Sequence, residues 1–101
     1  MSRKPESLFQ DKMIKALQSI PRIKVFKIQQ MSKRGDPDLL ICANGKFVAL
    51  ELKKDVRSKP TKLQSHILQQ VEDAGGFAAI CSPENFDELI TKIKEMVDGN
   101  Y

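Results

Sequence analysis

A stretch in the middle of the chain, DLLICANGKFVALELKK, constrains the fold more than any other part of the sequence. Its Asn44-Gly45 separates two apolar runs, and both residues tolerate the positive φ angles of a two-residue type I′ turn. The stretch therefore predicts a β-hairpin whose register is set by the turn. The facing pairs in this register are Ala43 with Lys46, Leu40 with Ala49, Leu39 with Leu50, and Asp38 with Glu51.

Both faces of the predicted hairpin are apolar along most of its length. Residues that face each other project to the same side of a sheet, and so do residues two apart along one strand. One face carries Leu40, Cys42, Phe47 and Ala49, and the other carries Leu39, Ile41, Val48, Leu50 and Leu52. Because strands with two apolar faces are normally covered on both sides, we expect helices on each side of this sheet.

The rest of the chain supplies three helices and two further strands. The helices are predicted from apolar residues at helical spacing, and the strands from runs of β-branched and aromatic residues. The predicted elements are helices over residues 6–20, over 61–74 behind Pro60, and after Ser82-Pro83-Glu84, with strands over 23–28 and 77–81. The order α-β-β-β-α-β-α predicts a single α/β domain over residues 1–101, with a mixed central sheet flanked by helices.

Composition excludes several classes of protein. The chain has 101 residues, of which 41% are hydrophobic and 30% are charged, and this suits one compact globule rather than a disordered chain. No apolar run approaches the roughly 18–20 residues that cross a bilayer, and the N-terminus lacks a signal-peptide core. Two cysteines do not make a disulfide scaffold, so we expect a cytoplasmic protein with no membrane partner.

Charge is distributed unevenly along the chain. Residues 1–62 hold 15 Lys and Arg against 6 Asp and Glu, whereas residues 63–101 hold 2 against 7. A surplus of positive charge on one part of a small domain indicates a polyanionic partner such as nucleic acid. A solvated, lysine-rich surface without a partner explains the same charge pattern.

Two carboxylates face each other at the open end of the hairpin. Asp38 and Glu51 repel each other in the predicted register unless a cation lies between them. Acidic oxygen ligands without nearby His or Cys favour Mg²⁺ or Mn²⁺ over zinc. Lys53 shares their face and could hold a phosphate or orient a water molecule. The alternative is an edge-of-sheet cluster in which Lys53 only pairs with Asp38 or Glu51.

The chain carries Gly35-Asp36-Pro37-Asp38, then the hairpin, then Glu51-Leu52-Lys53. This arrangement resembles the PD-(D/E)xK nuclease signature, and within that superfamily it resembles the VRR-NUC type most closely. The resemblance runs from Glu6 to about Gln64, and the order of elements continues it nearly to the C-terminus. It implies a restriction-endonuclease-like core that cleaves DNA with Mg²⁺ or Mn²⁺. It also implies that Asp38, Glu51 and the carbonyl of Leu52 hold the metal, while Lys53 positions or activates the attacking water.

The resemblance implies roles for two further residues. Glu6 matches an outer metal or water contact on the first helix, and Gln64 matches a glutamine that follows the catalytic strand. Basic residues that flank the motif are candidates for DNA phosphate contacts: Lys33, Arg34, Lys54, Arg57, Lys59 and Lys62. In the family that the chain resembles, many members carry an uncharged residue at the position of Asp36, and Asp36 is therefore left outside the site.

The function predicted from these features is a metal-dependent DNA endonuclease of a bacterial or phage-infected cell. It would act as a homodimer and be selective for branched DNA such as four-way junctions or flaps. One alternative is a catalytically silent nucleic-acid-binding module that keeps the fold for its basic face. A third interpretation is a structural subunit of a larger recombination assembly.

Overall fold

The structure, a computed structural model, describes residues 5–28 and 35–99, with side chains from residue 8 onward. Its elements are α1 Pro5–Gln18, β1 Ile23–Lys27, β2 Leu39–Ala43, β3 Lys46–Leu52, α2 Lys62–Asp73, β4 Phe77–Cys81 and α3 Phe86–Val97, with a short 3-10 turn, Pro83–Asn85, before α3. The predicted order of helices and strands is confirmed. None of the helices in these described ranges is long and apolar enough to span a membrane.

The four strands form one mixed sheet in the order β1-β2-β3-β4. The β1–β2 and β2–β3 pairs are antiparallel, whereas β3 and β4 are parallel and are joined through α2. The predicted hairpin register is confirmed, since Leu39 pairs with Leu50 and Leu40 pairs with Ala49. Asn44 and Gly45 have φ angles of 51° and 87°, as a type I′ turn requires.

One face of the sheet packs against α1 and α3 and forms the hydrophobic core. The hairpin residues predicted for this face are all buried, and they meet side chains from both helices. The largest fully buried side chains are Met13, Leu17, Leu39, Ile41, Leu50, Ile93 and Met96. This core holds the open end of the hairpin in a fixed position relative to the helices.

Helices lie on both sides of the sheet, as expected, but the face opposite α1 and α3 is covered only in part. In the described part of the chain, α2 packs on β4 and β3, leaving much of this face on β1 and β2 open. Phe26 and Phe47 are 51% and 49% exposed, and Cys42 is exposed as well. The physical reason is that α2 is the crossover between β3 and β4, and such a helix lies over the strands that it joins.

Helix α2 begins at Lys62, one residue later than the predicted start at residue 61. Thr61 is the N-cap residue, and its side chain accepts a hydrogen bond from the backbone N–H of Gln64. The side chain of Gln64 in turn accepts a hydrogen bond from the backbone N–H of Thr61, which completes a capping box. The first turn of α2 therefore has a defined geometry, and this turn faces the open end of the hairpin.

Candidate active site

The predicted site residues of the hairpin lie together at one end of the sheet. Asp38 directly precedes β2, while Glu51 and Leu52 end β3 and Lys53 follows it. The described ladder ends at the pair Leu39 and Leu50, and one further step in the same register sets Asp38 opposite Glu51. The two carboxylates therefore belong to neighbouring strands on the face that α2 partly covers.

Glu51 is a buried carboxylate with two specific partners. The residue is only 4% exposed, on a strand whose neighbouring residues are apolar. Its Oε2 lies 3.4 Å from Nζ of Lys53 and accepts a 2.8 Å hydrogen bond from Nε2 of Gln64. Burial of a carboxylate costs free energy that only such charged and hydrogen-bonding partners offset. The Lys53–Glu51 ion pair is expected both for a catalytic site and for a purely structural cluster.

Gln64 joins both charged groups to the start of α2. Its Oε1 accepts hydrogen bonds from Nζ of Lys53, at 3.3 Å, and from the backbone N–H of Thr61, at 2.9 Å. Its backbone N–H donates to Oγ1 of Thr61 at 3.1 Å. Thr61 was not among the predicted site residues, although the pattern Thr61-x-x-Gln64 is a recognisable capping-box signal.

Asp38 is held by the backbone of the neighbouring strand. Its Oδ2 accepts a 2.8 Å hydrogen bond from the N–H of Leu52. In the hairpin register Leu52 faces Pro37. Because a proline has no N–H, Pro37 cannot donate a ladder hydrogen bond to the carbonyl of Leu52. On the far side of β3 the ladder continues, because Lys53 donates its N–H to the carbonyl of Cys81 at 2.8 Å.

The donor groups at this end of the sheet fit a hard divalent cation. They are two carboxylates, of Asp38 and Glu51, and the carbonyl oxygen of Leu52, all of them oxygen atoms. Over the described ranges, the structure has no cluster of three or more His, Cys, Asp or Glu side chains suited to a metal ion. Besides the two carboxylates, a bound ion would therefore need the carbonyl of Leu52 and water molecules as ligands. Mg²⁺ normally keeps several water ligands.

The structure brings together Asp38, Glu51, Leu52, Lys53 and Gln64. Glu6 lies in the first turn of α1, but its side chain is outside the described part, and Lys33 and Arg34 are outside it entirely. The remaining basic candidates are all exposed, and they lie on the segment between β3 and α2 or at its end: Lys54, Arg57, Lys59 and Lys62.

The basic segment after Lys53 is folded by Asp55, a residue that was not among the predicted site residues. Its Oδ1 accepts hydrogen bonds from the N–H of Arg57, at 2.9 Å, and of Ser58, at 3.0 Å, and from the hydroxyl of Ser58 at 3.2 Å. Partial desolvation raises the pKa of Asp55, but these bonds and the charge of Arg57 outweigh it and hold the pKa below the ordinary 3.8. A sequence signal for this turn was present, because Asp55 stands two and three residues before Arg57 and Ser58, a spacing typical of turns in which an Asp side chain accepts backbone hydrogen bonds.

Comparison with known proteins bears on this fold. A scan against models of protein families found no match, and neither did a search of curated proteins. Among solved structures, one described as "VRR_NUC domain" matches with a TM-score of 0.76 at 24% sequence identity. The match covers 88% of this chain and 97% of that one. The chain therefore has a fold of the VRR-NUC type, with a restriction-endonuclease-like core, and the predicted fold is confirmed.

We predict that Asp55→Ala loosens the turn over residues 55–58, because the N–H of Arg57 and the hydroxyl of Ser58 lose their acceptor and the N–H of Ser58 keeps only the backbone carbonyl of residue 55, at 3.2 Å. Faster hydrogen exchange at the N–H groups of Arg57 and Ser58 measures this, with the amide of Ala78 on β4 as an unaffected control. The folded-state pKa is lowered, so this stabilisation is present above pH 3.8 and is lost as the pH falls through the lowered value. Unchanged exchange in the variant would contradict the assignment.

Proposed function

We propose that this chain is a metal-dependent DNA endonuclease that hydrolyses phosphodiester bonds. The observation that carries the proposal is the buried carboxylate of Glu51, held beside the ammonium of Lys53 by the amide of Gln64. Asp38 is fixed next to this group on the neighbouring strand. The nuclease-type fold supports this chemistry independently of the site residues.

In the proposed mechanism Asp38, Glu51 and the carbonyl of Leu52 hold Mg²⁺ or Mn²⁺. The chemistry that such an ion would supply is that of a Lewis acid, a polarised scissile phosphate and a lowered pKa for a bound water. Lys53 provides a positive charge close to the carboxylates, where it can orient the attacking water or stabilise negative charge that develops on the phosphate. Gln64 keeps Glu51 and Lys53 in one arrangement, and Glu6 would add an outer metal or water contact.

The same proposal assigns DNA binding to the basic residues around the site. Lys54, Arg57, Lys59 and Lys62 have exposed side chains on the segment that leaves the site, and Lys33 and Arg34 precede Asp38 in the sequence. Contacts of this kind bind phosphates without reading base sequence, and they make affinity depend on salt.

Isosteric neutral variants of the two carboxylates test the metal site. We expect Asp38→Asn and Glu51→Gln each to lower Mg²⁺-dependent cleavage by at least ~100-fold, because each removes a charged oxygen ligand and its share of transition-state stabilisation. Cleavage of labelled DNA measures this loss, and calorimetric titration with Mn²⁺ measures metal binding separately.

The matched control is Glu88→Gln, which neutralises an exposed carboxylate on α3, a helix of the opposite sheet face. This control should retain wild-type cleavage and Mn²⁺ affinity. Near wild-type turnover in either site variant would show that the site is wrongly assigned. A wild-type protein that binds DNA but does not cut it with Mg²⁺ or Mn²⁺ would favour the silent binding module.

A second comparison separates Lys53 from the basic segment. Lys53→Ala should lower the cleavage rate by orders of magnitude with little loss of DNA affinity, because its role lies in the transition state. Arg57→Ala and Lys59→Ala should instead weaken binding. Each should reduce the slope of log affinity against log salt by about one unit. Equal, modest effects at all three positions would reduce Lys53 to one phosphate contact among several.

We further propose that two copies act together on branched DNA. One metal site cuts one strand per encounter, and two copies related by a twofold axis present two sites to the symmetric arms of a four-way junction. Large apolar side chains that an interface could cover are exposed at Phe26, Phe47 and Leu63, with exposed fractions of 51%, 49% and 46%.

Sedimentation at micromolar concentration, with and without a four-way junction, tests the dimer. We expect a dimer at least on the junction, together with faster cleavage of the junction than of linear duplex of the same sequence. A protein that stays monomeric in both conditions and cuts both DNAs equally would overturn this part of the proposal. Its metal-dependent cleavage would stand as a separate result.

A further inference from the structure

The capping box of α2 and the candidate active site share one side chain, that of Gln64. An N3 glutamine in a capping box normally only satisfies the N-cap backbone N–H. Here its carbonyl oxygen accepts from that N–H at 2.9 Å, while its NH₂ group donates to Glu51 at 2.8 Å. The same amide therefore has one end at the N-cap and the other end at a buried carboxylate.

The backbone N–H of Thr61 fixes which way the amide of Gln64 points. An N–H group can bond only to the carbonyl oxygen of the amide, so the NH₂ group is directed toward Glu51. With this orientation the oxygen is also the atom that accepts from Nζ of Lys53, at 3.3 Å. A flipped amide would place its NH₂ group against two donors and its oxygen against a carboxylate.

The hydroxyl of Thr61 keeps this backbone arrangement in place. Its Oγ1 accepts from the N–H of Gln64 at 3.1 Å, and Thr61 has the extended backbone of an N-cap, with φ −70° and ψ 166°. Without the hydroxyl the first turn of α2 can fray, and the amide then loses the N–H that orients it. Thr61 itself is exposed, so its side chain is not part of the core.

We infer that Thr61 is a positioning residue for the reaction. Through the capping box it sets the orientation of Gln64, which in turn holds the carboxylate of Glu51 and the ammonium of Lys53 in their productive places. This inference rests on the proposed nuclease function and names a residue that the motif itself does not include. Thr61 would act on turnover rather than on DNA affinity, because its hydroxyl accepts from the backbone N–H of Gln64 and its own N–H donates to the Gln64 side chain.

The experiment compares Thr61→Ala with Thr61→Ser. Thr61→Ala should lower kcat about tenfold, equivalent to ~1.4 kcal/mol of activation free energy, with KM within about twofold of wild type. Thr61→Ser keeps the capping oxygen and should retain kcat within about twofold. Ile93→Val, a conservative change in the core against the other sheet face, controls for lost stability and should leave kcat unchanged.

A double-mutant cycle identifies the route of the effect. In a Gln64→Ala background, Thr61→Ala should cause no further fall in kcat, because the residue through which it acts is already gone. Additive losses, an unchanged kcat in Thr61→Ala, or an equal loss in Thr61→Ser would each overturn the inference.

The orientation of the Gln64 amide can be measured without metal or DNA, and therefore separately from cleavage. In the metal-free protein, the side-chain NH₂ of Gln64 should show two distinct NMR resonances that exchange slowly with water. Thr61→Ala should move them toward the values and exchange rates of a free amide, and Thr61→Ser should not. Identical resonances in wild type and Thr61→Ala would refute the positioning role. If wild type cuts no DNA, the proposed function fails, while the same resonances still show whether Thr61 orients the amide of Gln64.

Discussion

The burial of one carboxylate, that of Glu51 at the end of β3, is the constraint around which the rest of this structure is arranged. A charge that is 4% exposed between two apolar residues of a strand is unfavourable unless its partners are charged or donate hydrogen bonds. Lys53, directly after β3, and Gln64, in the first turn of α2, meet that requirement. Their positions explain why the strand end, the following segment and the start of α2 must come together.

The link between the helix cap and the candidate active site follows from the topology of the sheet. A parallel β3–β4 pair requires a crossover, and the crossover helix α2 starts close to the end of β3. Its first turn therefore faces the site, and the side chain at its third helical position reaches Glu51. The hydrogen bonds that cap the helix and those that hold Glu51 and Lys53 therefore share one side chain, that of Gln64.

The two faces of the sheet serve different purposes. The face against α1 and α3 is fully packed and supplies a rigid base for the hairpin. The other face carries the site at one end, is covered by α2 over β3 and β4, and leaves Phe26 and Phe47 about half exposed. In the proposed function, this half-open face and the basic segment beside it are where the molecule would meet its partners.

The sequence by itself determined the hairpin, its register and the shared face of Asp38, Glu51 and Lys53. An Asn-Gly turn sets the pairing, and a strand has a side-chain period of two, so these relations are local. Only the tertiary structure decided that α2 leaves part of a sheet face open and that the capping-box side chain of Gln64 reaches Glu51. The Glu51–Gln64 contact spans 13 residues and depends on where the crossover helix packs, which the local pattern of residues does not specify.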